Sequence, residues 1–186
     1  MSSDPTVMAS GLGKAFRIYN RPADRLKSLL FPRLDESRTF WALQDVHFSV
    51  EQGESVGIIG RNGSGKSTLL QIICGIQSPS AGEVRSHGRI VGMLELGTGF
   101  DPQFTGRENV RLTAAIYGLN EAETEARLPL IEEFAGIGAF FDQPVRVYSS
   151  GMYARLAFAV CAHVDADVLV VDEILAVGDA AFQQKC

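Results

Sequence analysis

Apolar positions along this chain fall into strand-like and helix-like stretches in turn, and they predict an α/β protein. Residues 6–19 and 40–50 have strand character, the second as Phe40-Trp41-Ala42-Leu43 and then Val46-His47-Phe48-Ser49-Val50, with Glu51-Gln52-Gly53-Glu54 as a turn. Ser55 to Ile59 is short and apolar, as a buried strand requires, and Leu69, Leu70, Ile72 and Ile73 fit a buried helix that Gly75 can terminate. Gly82 to Leu94 reads as strand, turn and strand, and residues 97–102 as an irregular loop. The pattern then turns helical. Thr105-Gly106-Arg107-Glu108 has the spacing of a capping box, and Asn120-Glu121-Ala122-Glu123 repeats it for a second helix that Pro129 is expected to kink or split. Gly151 to Ala162 predicts a further helix. Val168 to Val171 is a continuous apolar run suited to a central strand buried on both faces.

Composition narrows the class. With 186 residues and 46 % hydrophobic content, the chain has material for one sizeable core and little room for a second domain. The net charge of -5 argues against nucleic acid as an obligatory partner, but the charge is uneven: residues 14–38 carry a net +4, leaving -9 elsewhere. Cys74, Cys161 and Cys186 are odd in number and lack metal-ligand spacing, so they read as free thiols in a reducing compartment. No apolar stretch reaches the roughly 18 residues that span a bilayer, and residues 1–10 lack the pattern of a secretory leader. The expected location is the cytosol.

The chemistry concentrates in three places. In Gly60-Arg61-Asn62-Gly63-Ser64-Gly65-Lys66-Ser67-Thr68, glycines let backbone N–H groups turn inward around the phosphates of a nucleoside triphosphate. Lys66 adds a point charge there, and the Ser67 hydroxyl is suited to Mg²⁺. Asp172 and Glu173 end the run Val168–Val171, a position that at the carboxyl end of a buried parallel strand belongs beside such a loop. Asp172 would hold Mg²⁺, directly or through water, and Glu173 would orient and deprotonate an attacking water. Tyr148-Ser149-Ser150-Gly151-Met152 opens the third helical segment, reading either as an ordinary N-cap or as a second anion site at a positive helix end.

The order of these motifs, followed by Ala176-Val177-Gly178-Asp179, resembles the nucleotide-binding subunit of ATP-binding-cassette (ABC) transporters over essentially the whole chain. The four correspond to the Walker A loop, the signature motif, the Walker B strand and the D-loop. The resemblance implies a P-loop NTPase (RecA-like) α/β core, a small antiparallel β subdomain, and a helical subdomain near residues 101–148. It also implies ATP and Mg²⁺ as ligands, and a head-to-tail homodimer in which Ser149, Ser150, Gly151 and Met152 close over ATP held by the other copy. Asp179 would lie at that interface and Glu173 would be the hydrolytic base. Leu94 to Phe100, Phe104 to Val110, and YSSGM in place of LSGGQ are similar to the polysaccharide-exporter branch. That branch moves lipid-linked O-antigen, capsule or teichoic acid through an integral membrane permease, which implies an ATPase peripheral to the inner face of the cytoplasmic membrane.

Three departures from the family pattern stand out. The strand Ile90–Leu94 is followed by Glu95 where a glutamine is usual, and Glu95 takes that catalytic place. Phe16 is the aromatic that would stack on adenine, with Tyr19 as the alternative and a core role for both as the bland reading. The switch histidine expected after the D-loop is not found before Cys186, and His47, His87 and His163 read as ordinary surface or helix-end residues. The expectation is therefore a cassette incomplete at its C-terminus, weak or inactive as an isolated ATPase. The basic arm 20–39, with Arg21, Arg25, Lys27 and Arg33, reads as a loop facing anionic headgroups or the pyrophosphate of a lipid-linked glycan, or else as a solvated extension. A soluble cassette ATPase acting on nucleic acid or the ribosome, and a non-hydrolysing nucleotide-dependent scaffold, are the rival readings.

Overall fold

A computed structural model of the chain describes residues 5–19, 38–94, 97, 99–172, 182 and 184. Two compact units divide at residues 87 and 88.

In the first unit, β1 (Val7–Ile18) is the central strand of an antiparallel sheet, flanked by β2 (Arg38–Val50) and β3 (Ala81–Ser86). Alternation decides its face: Val7, Ala9 and Leu12 are buried while Arg17 and Ile18 stand in solvent. Pairing of β1 with β2 slips between Lys14/Leu43 and Ala15/Trp41, which leaves Ala42 as an extra residue in a bulge. Helix α1 (Lys66–Ile73) buries Leu69, Ile72 and Ile73, the expected apolar stripe, and Gly75 follows its end at φ 72°.

Ser55–Ile59 is not a strand. Val56 and Ile58 are exposed and Ile59 is 98 % exposed. An apolar run becomes a parallel strand only when neighbours complete its backbone ladder, and no described residue does so.

In the second unit, β4 (Ile90–Met93) pairs in parallel with β5 (Val168–Val171), Met93 lying opposite Val171. The strand after residue 88 thus ends at Met93 rather than Leu94. β5 also departs from burial on both faces: Val170 is buried, but Leu169 is 55 % exposed and Val171 is exposed too. Among the described residues β5 has one strand neighbour, and only its Val168/Val170 face turns inward.

Helices α2 (Gly106–Ile116), α3 (Glu121–Ala135) and α4 (Ser150–Ala162) surround a core of Val110, Leu128, Ile131, Phe141, Leu156 and Val160. Both predicted capping boxes form, at Thr105/Glu108 and Asn120/Glu123. Pro129 does not split α3, which runs unbroken past it with Leu128 and Ile131 buried on either side. Each such buried Leu or Ile contributes about 1.5–3 kcal/mol, enough to offset most of the interior-proline cost of about 3 kcal/mol.

Two polar features lock this unit. Asn109, 0 % exposed, receives the Asp101 N–H on Oδ1 (2.7 Å) and donates from Nδ2 to the carbonyls of Asp101, Phe104 and Thr105 (3.0, 3.2 and 3.0 Å). It therefore folds the loop before α2. Arg107 bonds Asp142 (2.7 Å) and Glu132 (3.2 Å) and covers the Phe141 ring at 4.8 Å, tying α2 to α3 and to the 3-10 turn Gly138–Asp142. Cys74 is half-buried and Cys161 buried, both free thiols; burial pushes the Cys74 pKa up to about 11. No helix among the described residues is long and apolar enough to cross a membrane.

Candidate nucleotide site

The phosphate-type loop sits between residue 59 and α1, and at its last glycine a backbone contact leaves no room for a side chain. Gly65 has φ 93°, and a Cβ there would come 2.5 Å from the Ala42 carbonyl oxygen and 2.9 Å from Leu43 Cδ2. The bulge in β2 thus meets the loop's last glycine, and only glycine meets both conditions. A Cβ on Gly60 would fall 2.6 Å from Ser64 Oγ. A turn closes over Asn62 and Gly63 through the Ser64 N–H on the Arg61 carbonyl (3.1 Å), with Gly63 at φ 81°.

Charge is placed over this turn. Lys66 Nζ donates to the carbonyls of Gly60 (2.8 Å) and Arg61 (3.1 Å), which holds its ammonium over the loop. Gly65 supplies no side-chain cap to α1, and the first turn of that helix, which contains Ser67 and Thr68, holds no acidic residue. A narrow backbone cradle, an ammonium and a helix start with no carboxylate fit a polyphosphate in shape and in sign.

Phe16 lies in β1 directly opposite Phe40 of β2. Their exposures of 37 % and 51 % exclude the core role for Phe16, and Lys14 Nζ stands 5.4 Å from the Phe16 ring. Phe40 is two residues, about 7 Å of strand, from the Ala42 carbonyl that abuts Gly65. Tyr19 follows the end of β1 and is half-buried. Phe40 escaped the sequence because cross-strand register, set by the bulge at Ala42, is not a local signal.

In the second unit, the carboxyl ends of β4 and β5 coincide, so Asp172 follows directly on the Met93/Val171 pair. Glu95, Glu173, Asp179 and residues 20–37 of the basic arm lie outside the described residues.

Helix α4 begins at Ser150, with Ser149 as N-cap accepting the Met152 N–H on its hydroxyl (3.2 Å). The bland reading of Ser149 is therefore realised as local structure, while Ser150 and Gly151 occupy the first turn. Tyr148 pins the approach to this helix by donating its hydroxyl to the Phe140 carbonyl (2.7 Å), and burial pushes its pKa up to about 12. His163 ends α4 with Nδ1 2.7 Å from the Ala159 carbonyl oxygen; His47 Nε2 faces Asp45 (2.8 Å) while its Nδ1 accepts the Gly11 N–H (3.2 Å). Both are helix-end or surface residues, as expected.

Comparison with known proteins agrees with this geometry. A family model described as ABC transporter matches residues 43–176. The chain is 52 % identical over 184 residues to the ABC transporter protein AbcA of Aeromonas salmonicida, covering 99 % of this chain and 59 % of that protein. It is 45 % identical to the O-antigen export system ATP-binding protein RfbB of Klebsiella pneumoniae, covering 98 % of this chain and 76 % of the relative. It is 41 % identical to the teichoic acids export ATP-binding protein TagH of Shouchella clausii, covering 98 % of this chain and 51 % of the relative. The chain thus spans between about half and three quarters of these relatives' length. Among solved structures, the dimeric, post-hydrolysis ATP-binding cassette MJ0796 bound to ADP and Pi matches with a TM-score of 0.72 at 21 % identity, over 96 % of this chain and 78 % of that one. The chain has the P-loop NTPase fold of an ATP-binding cassette, and it belongs to the ABC transporter family.

Proposed function

We propose that this chain is the ATP-binding and ATP-hydrolysing subunit of a transporter that exports a lipid-linked polysaccharide through a membrane permease. The single observation that carries nucleotide binding is the cradle at residues 60–68: the Ala42 carbonyl excludes a Cβ at Gly65, and Lys66 donates to the Gly60 and Arg61 carbonyls across the turn. Support for the cargo comes from the relatives, whose names describe O-antigen and teichoic acid export.

In this reading Gly60, Asn62, Gly63, Ser64, Gly65, Lys66 and Thr68 bind the phosphates and Phe16 stacks on the base. Ser67 and Asp172 are assigned to Mg²⁺, which when bound supplies positive charge against the phosphate oxygens. Glu173 accepts a proton from the attacking water, and Glu95 helps to orient that water. Ser149, Ser150, Gly151 and Met152 cap the γ-phosphate of ATP held by a second copy, with Asp179 at the same interface. Residues 101–148 form the helical subdomain of the cassette, and the basic arm 20–39 faces anionic headgroups or a lipid-linked pyrophosphate. The protein then works as a homodimer at the inner face of the cytoplasmic membrane, bound to its permease, and needs no nucleic acid.

The decisive experiment is Glu173→Gln in the full chain with its membrane partner. Retained ATP binding, lost hydrolysis and an accumulated ATP-bound dimer are expected. Undiminished turnover would remove Glu173 as the base, and loss of ATP binding would remove the division of roles between the phosphate loop and Glu173.

A further inference from the structure

Helix α4 makes a contact that its own stability does not call for. Tyr153, in its first turn, reaches out to the loop that follows β4 and donates its hydroxyl to the Gly97 carbonyl at 2.5 Å. Its ring lies 5.2 Å from that of Phe100, tilted by 55°. The fit is close: Gly97 sits at φ 80°, and a Cβ there would come 2.2 Å from Tyr153 Cε1. Any other residue at position 97 would expel the ring.

The same Gly97 carbonyl also accepts the Phe100 N–H (3.0 Å), so one oxygen organises the turn 97–100 and receives the tyrosine. Gly97 and Gly99, at φ 80° and 101°, bring no side chain of their own to hold this turn. Tyr153 is its strut. Burial raises the Tyr153 pKa, so the phenol keeps its proton and remains a donor throughout the physiological range.

The two ends of this strut are functionally loaded. Tyr153 N–H bonds the Ser149 carbonyl (3.0 Å), placing it one turn from the cap residue and beside Ser150 and Gly151. Gly97 lies two positions after Glu95 in sequence and four after Met93, whose partner Val171 precedes Asp172.

We infer that Tyr153 is a positioning residue that couples the first turn of α4 to the loop after β4, so that an anion gripped at Ser150 and Gly151 restrains residues 97–100. The inference rests on the proposed role of Ser150 and Gly151 at a γ-phosphate. It extends that role by naming the contact through which nucleotide capping is felt at the loop following Glu95.

Tyr153→Phe keeps the ring and removes the hydroxyl, and Ser150→Ala serves as reference for the capping role. Amide hydrogen exchange of the full chain is followed with and without saturating Mg·ATP, together with kcat, KM and Tm. In the unmutated protein, ATP is expected to slow exchange at both 150–153 and 97–100. In Tyr153→Phe the slowing at 150–153 remains and that at 97–100 is lost. With it kcat falls about fivefold, as loss of one hydrogen bond allows, while KM and Tm hold. A merely structural tyrosine would lower Tm and leave the ATP response of 97–100 in place, which overturns the inference. So does an unmutated protein whose 97–100 amides ignore ATP. If Ser150→Ala leaves the slowing at 150–153 intact, the capping role itself falls and the inference with it. If Ser150→Ala abolishes the slowing at both segments while Tyr153→Phe changes neither, the capping role stands and only the strut falls.

Discussion

Helix α1 begins without a side-chain cap, whereas α2 and α3 begin with complete capping boxes. At Thr105 the hydroxyl receives the Glu108 N–H (3.2 Å) and Glu108 Oε2 receives the Thr105 N–H (2.8 Å); Asn120 and Glu123 repeat the exchange at 2.9 and 2.8 Å. At Gly65 no side chain does this, and the first turn of α1 holds no acidic residue. A capping side chain satisfies one of the N–H groups that a helix start leaves without an intrahelical partner. The contrast separates two helices whose starts are closed by side chains from one whose start has neither a side-chain cap nor an acidic residue. Helix α4 stands between the two, capped by Ser149 yet with no acidic residue in its first turn.

The hardest test of this contrast is Gly65→Ala. Its Cβ would collide with the Ala42 carbonyl at a backbone conformation that alanine resists, so Mg·ATP affinity is expected to fall by at least about 100-fold in a fluorescent-nucleotide titration. Gly63→Ala, with φ 81° but open space around it, should lose only about tenfold. Equal losses would show that strain rather than close approach shapes the cradle.

Next comes Asn109→Ala, which leaves the Asp101 N–H without its acceptor and removes one of two hydrogen bonds at each of the Asp101, Phe104 and Thr105 carbonyls. Urea denaturation should show a loss of about 2–4 kcal/mol, with nucleotide affinity of the phosphate loop unchanged. Thr105→Ala and Asn120→Ala should each cost about 1 kcal/mol and likewise spare nucleotide binding. A change in ATP affinity from either cap variant would blur the division between the two kinds of helix start.

The smallest effect is a pH dependence. Hydrogen bonds from the Thr105 N–H and hydroxyl hold the Glu108 carboxyl below its ordinary value; Arg111 does the same for Glu125, and Arg107 for Asp142. A lowered folded pKa means stability that is fully present above the ordinary carboxylate range, about pH 4, and lost as pH falls through the folded values. Tm followed from pH 7 to pH 3 should therefore drop at the acid end, and less steeply in Glu108→Gln. An identical acid slope in that variant would show that the capping carboxylate contributes nothing to it.

The legible and the illegible parts of this molecule differ by the range of the contacts concerned. The two capping boxes and the apolar stripe of α1 are legible because each is completed within about eight residues. Ser55–Ile59 was readable as apolar but not as a strand, because a strand exists only with its neighbours. Pro129 looked like a break because its local cost is visible in sequence, whereas the burial of Leu128 and Ile131 that offsets it is not. Phe40 opposite Phe16, Asn109 under its loop and Tyr153 against Gly97 depend on register or on packing between segments.

By itself, then, the sequence determined where the two capping boxes start their helices and which residues form the apolar stripe of α1. These follow from hydrogen bonds and spacing among near neighbours. Tertiary structure alone decided that the Ala42 bulge makes glycine obligatory at position 65, that one face of β5 rather than two is buried, and that Tyr153 bridges to the loop after β4. Those outcomes require segments far apart in the chain to meet, and the periodicity of one segment says that it must bury a face without saying against what.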